Sequence, residues 1–427
     1  MHRNDMRNSQ KNINNKPGRK NARVSTEKFM MTTVCRLRTA LSSAVLYKNV
    51  AASPVLSRLE AFLAVCNDED ENLKTVKYCD LVSSLYDAGC DLGEYIEDAL
   101  RCADNAYIRS YASKKPIPKV MENCFKAELE AFSSLTKVSS TELKELAKIS
   151  AALPDFENTE KNFSNIIPAL LENSSKLGYG VYARYGMFRV TNEGKLCPVL
   201  SPDPITLSSL TGYEDERRKV LENTRALLKG LPAANVLLCG DAGTGKSSTV
   251  KAVANELRCE GIRLIELRKE QLPLLPEIMG EIADNPLKFI LFIDDLSFAC
   301  DDDGFGALKA ILEGSAAAKT HNAVIYATSN RRHIVKETFS SREGDEVHRR
   351  DTMEEMLSLS ARFGLSITFT KPDKKLYLKI VHALAEEKNI EIDDSLDIRA
   401  EAFALAKGGR SARVASQFID NLISIGG

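Results

Sequence analysis

The sequence predicts an α/β protein built on a parallel sheet, with an all-α region before the sheet and a small helical lid after it. Between residues 210 and 370, short apolar runs alternate with helix-period segments, the pattern of parallel strands joined by crossover helices. One of those runs, "KFILFID", shows no polar alternation and reads as a strand covered on both faces. On either side of this region, apolar residues recur at helical spacing with few Gly or Pro breaks.

A length of 427 residues favours two or more domains, and 44% apolar residues can fill real cores. Residues 1–28 carry eight Lys or Arg against Asp5 and Glu27, with hardly any apolar side chains, and read as a disordered basic tail. Residues 29–177, with stretches such as "SPVLSRLEAFLAVC", read as a domain of six to eight helices. At 178–209, aromatic and β-branched residues alternate around Asn192-Glu193-Gly194, which predicts one hairpin; Pro202 and Pro204 then mark a linker. Residues 210–370 supply five strands, "NVLLCG", "RLIEL", "KFILFID", "NAVIYATSN" and "LSITF", with helices between them. Residues 371–427 hold the three helices of the lid.

A formal charge of -1 argues against a chain that coats nucleic acid along its whole length, while leaving room for a local basic patch. Ten cysteines, none in a CxxC pair or beside a His at ligand spacing, read as reduced thiols rather than zinc ligands. The N-terminus lacks a signal-peptide core, and no stretch approaches the ~18 apolar residues of a membrane span, so a cytoplasmic protein without a membrane partner is expected.

Chemistry concentrates at Gly240-Asp241-Ala242-Gly243-Thr244-Gly245-Lys246-Ser247, which fits GxxxxGK[ST] between a strand and a helix. The glycines let successive backbone amides turn inward toward phosphate oxygens, and the helix that follows adds its positive end. Lys246 is expected to reach the β- and γ-phosphates of ATP, and the Ser247 hydroxyl to bind Mg2+, with Ser248 next on the helix. A phosphate grip needs a carboxylate from a neighbouring strand, and Asp294 and Asp295 stand where "KFILFIDD" emerges from the core. Asp294 is expected in the Mg2+ shell and Asp295 beside the attacking water. The alternative is two acids that merely cap the next turn.

The region from Leu210 to Ile425 resembles an AAA+ P-loop ATPase module. Its motifs stand in that superfamily's order: "GDAGTGKSS" as Walker A, "FILFIDD" as Walker B, "YATSN" as sensor 1, "SARFGL" as the arginine-finger segment and "GGRSAR" as sensor 2. More narrowly, "IDDLSFACDD", "LKAILEGS" and "VIYATSNRRHIV" resemble an uncharacterised bacterial family of ATPases known as a domain of unknown function. The resemblance implies a three-layer core, an Asn330 that orients the lytic water, an Arg362 that reaches a neighbour's nucleotide, and an Arg413 that contacts phosphates of its own subunit. Gly212 and Tyr213 fall in the segment that packs near adenine. Asn330 could equally be a turn residue, and the two arginines could be solvated. Two departures stand out. Asp295 occupies a position usually held by Glu, which implies slow hydrolysis, and Ala361 replaces the Asp that precedes the finger arginine in related chains.

Three functions follow from this reading. The first is a slow ATPase or ATP-driven switch that forms at least a transient homo-oligomer and acts on a protein partner through the helical N-terminal domain. The second is a nucleic-acid factor akin to a helicase loader, using the basic tail and the pairs Arg331-Arg332 and Arg349-Arg350. The third, a small-molecule kinase, lacks support from the sensor and finger pattern. Polypeptide threading is disfavoured because "RKEQLPLLPEIMGE", after the second core strand, has no aromatic residue. A replication initiator's DNA-binding domain is not expected, because the sequence ends at Gly427 after the lid.

Overall fold

The computed structural model describes residues 31–296, 303–312, 321–330, 361–393 and 395–426. The chain divides into two compact units: the residues up to Tyr107 together with Ile117–Pro168, and Ile108–Pro116 together with Ala169–Gly427.

The first unit is helical. Phe62 of helix Pro54–Val65 meets Tyr78 of helix Glu71–Asp87 edge-on at 5.5 Å, and Leu56, Leu59, Leu81 and Leu85 close around them. Helix starts are fixed by side chains that accept otherwise orphaned amides. Asp70 takes those of Asn72 and Leu73, and Ser139 and Glu142 form a reciprocal capping box. Glu128, buried within helix Lys119–Leu135, accepts the amides of Val45, Leu46 and Tyr47 at 2.8, 2.9 and 2.9 Å. Residues 29–177 contain more helices than the periodicity predicts. Segments such as Lys48–Ala51 and Ser174–Leu177 have four residues each, too few for an apolar period to register.

The second unit is built on a seven-stranded sheet: β1 (Met187–Val190), β2 (Leu196–Pro198), β3 (Val236–Gly240), β4 (Ile262–Leu267), β5 (Lys288–Ile293), β6 (Ala323–Ser329) and β7 (Leu365–Phe369), in spatial order β2-β1-β4-β5-β6-β3-β7. Pairing is parallel except between β1 and β2. The hairpin expected at 178–209 thus extends the core: β1 pairs with β4 from Met187↔Leu264 to Arg189↔Glu266. Pairing between distant segments leaves no local period in the sequence, which is why the hairpin and the five core strands were legible but their union in one seven-stranded sheet was not. Arg263 anchors this extension. Its buried guanidinium donates to the carbonyls of Tyr182, Arg258, Ile262 and Leu177 at 2.8 to 3.0 Å.

Alternate residues of the strands feed two cores. On one face Leu237, Ile265, Leu291, Ile293 and Ile325 pack with helix Leu275–Ile282. On the other Leu238, Leu264, Ile290, Phe292 and Tyr326 pack with helices Glu214–Leu228 and Lys246–Glu256. Helix, sheet and helix therefore form three layers. Beyond β7, helices Lys374–Glu387, Leu396–Ala406 and Ala412–Gly426 close a separate core around Tyr377, Val381, Ala400 and Phe418. Among the described residues, no helix is long and apolar enough to cross a membrane.

Because β5, β6, β3 and β7 are adjacent and parallel, their carboxyl ends lie side by side. The residues that follow those ends make the candidate site.

Candidate functional site

After β3 the chain curls through Asp241 to Gly245 into helix Lys246–Glu256. The curl requires glycine at Gly240 and Gly243, where φ is 134° and 76°. A β-carbon on Gly240 would lie 2.0 Å from the Phe369 carbonyl oxygen, and one on Gly243 would lie 3.0 Å from Ser411 Oγ. The loop is also tied to the lid region. The Arg413 amide donates to the Gly243 carbonyl at 3.1 Å, and the Lys371 amide donates to Asp241 Oδ2 at 3.1 Å.

Lys246 is only 5% exposed. Its ammonium donates to the carbonyls of Gly240 and Asp241 at 3.0 and 2.7 Å and to Asn330 Oδ1 at 3.1 Å. Burial pulls its pKa below the ordinary lysine value, while the charges of Asp241, Asp294 and Asp295 work in the opposite direction. Asn330 turns its amide nitrogen to Asp295 Oδ1 at 2.7 Å, so one side chain bridges the loop lysine and the second acid of the β5 end.

Asp294 follows β5 directly. Its Oδ1 accepts from Ser247 Oγ at 2.6 Å and from Thr328 Oγ1 at 2.6 Å. Asp295 adopts φ 53°, a left-handed conformation that costs an ordinary side chain about 1 kcal/mol. Three hydrogen bonds hold this turn: the Asp295 amide donates to Thr328 Oγ1 at 2.9 Å and to Asp294 Oδ1 at 3.2 Å, and the Leu296 amide donates to the Thr328 carbonyl at 2.7 Å. At roughly 1 kcal/mol net each, they offset the backbone strain. Thr328 is a site residue that the motif reading did not single out. Its one sequence trace is the threonine that closes "AVIYAT", which reads equally as a β-branched strand residue.

Gly240 to Ser247, Asp294, Asp295 and Asn330 therefore lie together at the ends of β3, β5 and β6, with Ser248 half-buried on the next helical position. Tyr213, also in the left-handed region at φ 57°, donates its hydroxyl to the Thr370 carbonyl at 2.7 Å and lies 5.2 Å from the Phe369 ring. Burial pushes its phenol up to about 12. Arg413 is exposed at the head of the third lid helix, with its backbone on the loop. Arg362 is not part of this cluster. It precedes β7, whose first residue Leu365 pairs with Val236, the first residue of β3, whereas Gly240 pairs with Phe369 at the far end. Five strand residues at ~3.3 Å each separate Arg362 from its own loop. Arg331, Arg332, Arg349 and Arg350 lie outside the described residues.

The residues present fit a magnesium nucleotide. A glycine curl with a buried lysine suits phosphate. Among the described residues no group of three or more His, Cys, Asp or Glu is placed to hold a metal ion by itself. One hydroxyl beside one carboxylate is the donor set of a cation that keeps waters and takes its other oxygens from phosphate, as Mg2+ does.

The strand order and this site define an AAA+ superfamily member of the P-loop class. Residues 183–425, more than half of the chain, match the model of the family described as "Protein of unknown function (DUF815)", and the chain belongs to that family. The match begins before β1, so the family segment includes the hairpin that extends the sheet. Over 242 residues, 52% of this chain, it is 27% identical to an ATP-dependent zinc metalloprotease FtsH of Opitutus terrae, covering 37% of that protein. Over 185 residues, 41% of this chain, it is 26% identical to a 26S proteasome regulatory subunit 4 homolog of Dictyostelium discoideum, covering 39% of that protein. The chain thus spans less than two fifths of the length of either curated relative. Among solved structures, the Thermotoga maritima RuvB Holliday junction branch migration motor aligns with a TM-score of 0.30 at 18% identity, over 51% of this chain and 72% of that one.

Proposed function

We propose that this protein binds ATP with Mg2+ and hydrolyses it slowly, acting as an ATP-driven switch on a protein partner through its helical N-terminal unit. The observation that carries the reading is the meeting of Ser247, Asp294, Asp295, Asn330 and Lys246 in one hydrogen-bonded cluster at the ends of three adjacent strands.

In this reading, the loop amides and Lys246 bind the β- and γ-phosphates, exchanging the carbonyls and the Asn330 oxygen that now hold the ammonium. Ser247 and Asp294 would hold the cation, which would supply neutralisation of phosphate charge. Asp295 accepts a proton from the attacking water, and Asn330, already bonded to Asp295, orients that water. An Asp in place of Glu shortens the reach by one methylene, and hydrolysis is slow for that reason. Tyr213 flanks the base, and Arg413 touches phosphate from the lid. Arg362, at the opposite end of the strands from the loop, serves a second copy of the chain, so turnover requires at least transient self-association.

The test is ATP turnover measured against protein concentration. Turnover per chain should rise with concentration for the parent and stay flat for Arg362→Ala, with ATP affinity equal in the two. Equal concentration dependence in both would remove Arg362 from the site.

A further inference from the structure

We propose that Thr328 is the positioning residue that sets both acids of the site, directing Asp294 to the cation and Asp295 to the water. This inference rests on the nucleotide reading of the site. β5 and β6 remain in register to Ile293↔Ala327, so Thr328 falls beside Asp294 just where the chain leaves the ladder. There the strand pairing gives way to bonds made mainly with Thr328, beside a longer one from the Asp295 amide to Asp294 Oδ1 at 3.2 Å. The Leu296 amide donates to the Thr328 carbonyl at 2.7 Å, the Asp295 amide donates to Thr328 Oγ1 at 2.9 Å, and the Thr328 hydroxyl donates to Asp294 Oδ1 at 2.6 Å.

The hydroxyl's one proton is thereby committed to Asp294, and a lone pair to the Asp295 amide. An O–H···O contact of 2.6 Å to a carboxylate falls in the range of charge-assisted bonds. Thr328 is 2% exposed, so water does not replace these contacts when they are lost. Asp294 Oδ1 has a second hydroxyl donor, Ser247 Oγ, at 2.6 Å. Once Ser247 turns its oxygen toward a cation, Thr328 remains as the side chain that fixes the Asp294 carboxylate. Meanwhile its grip on the Asp295 amide keeps that residue at φ 53°, the conformation from which the Asp295 carboxylate meets Asn330. Groups behind a metal ligand commonly change metal affinity by about 10- to 100-fold when removed.

The experiment compares the parent, Thr328→Val, which keeps the shape and loses the hydroxyl, and Thr328→Ser, which keeps the hydroxyl. A fluorescent ADP analogue is titrated against each protein in EDTA and again with Mn2+, and Mn2+ binding in the presence of ADP is followed by electron paramagnetic resonance. Thr328→Val should lose about 10-fold or more of its Mn2+-dependent affinity, with nucleotide affinity in EDTA equal to that of the parent, and Thr328→Ser should restore it. Equal Mn2+ affinity in Thr328→Val and parent overturns the role of Thr328 alone. A loss of the same size with and without Mn2+ also overturns it, because it marks a purely structural effect. A parent that binds no nucleotide overturns the reading of the site itself, and this role with it.

Discussion

Two buried cations toward opposite ends of the strands of one sheet, Arg263 at the start of β4 and Lys246 past the end of β3, are solvated by the protein in different ways. They are 2% and 5% exposed, and burial pulls both pKa values down, Arg263 to about 10. Arg263 donates to four carbonyls of packed backbone, and the like charge of Arg258 acts with burial to lower its pKa. Lys246 donates to two carbonyls of a glycine loop and one side-chain amide, with Asp241, Asp294 and Asp295 nearby. A buried charge whose partners are locked in the fold is a structural weld. One whose partners sit on a loop and a side chain can trade them for a ligand.

The comparison breaks most readily on Arg263. Arg263→Met leaves the carbonyls of Leu177, Tyr182, Arg258 and Ile262 without their donor and should lower stability by about 3 kcal/mol or more, read by denaturant unfolding. If that variant instead kept its stability and lost ATP, the assignment of the two cations would be reversed. Lys246→Ala should do the opposite. Its unfolding midpoint should stay near the parent's, while the stabilisation of about 2.7 kcal/mol that ATP gives the parent at 100-fold excess over Kd disappears from the melt.

The acids around Lys246 have no counterpart at Arg263, and a third variant uses them. Asp295→Glu restores the missing methylene and should raise single-turnover hydrolysis by about 10-fold, or about 1.4 kcal/mol of barrier, without changing ATP affinity. A rate at or below the parent's would remove Asp295 as the proton acceptor. The smallest effect is on pH dependence. Burial lowers the Lys246 pKa below the ordinary lysine value and the ammonium is charged below that folded pKa, so ATP affinity should fall as pH rises through it. A fall on acidification instead would point to a group other than Lys246.

The loop and both acids were legible because short-range spacing encodes them: glycines where φ is positive, a lysine at the head of a helix, carboxylates at the end of a fully apolar strand. The three layers followed from alternation of helix and strand. The hairpin's place in the sheet did not, since β1 meets β4 across more than seventy residues and neither strand announces its partner. Arg263 gave no signal either, because an arginine in "RLIEL" reads as an exposed strand residue until its carbonyl partners are seen. Thr328 was hidden by its own strand: within "YATSN" the asparagine draws attention, while the hydroxyl that arranges both acids looks like β propensity.

The central claim is that Lys246 is buried to hold phosphate rather than to hold the fold. Calorimetric titration of ATP and Mg2+ into the parent and Lys246→Ala tests it most directly. Saturable binding by the parent, at least 100-fold weaker in a variant that unfolds at the parent's midpoint, is the predicted result. Equal affinity in both proteins, or a variant that loses ATP only because it has unfolded, would contradict it.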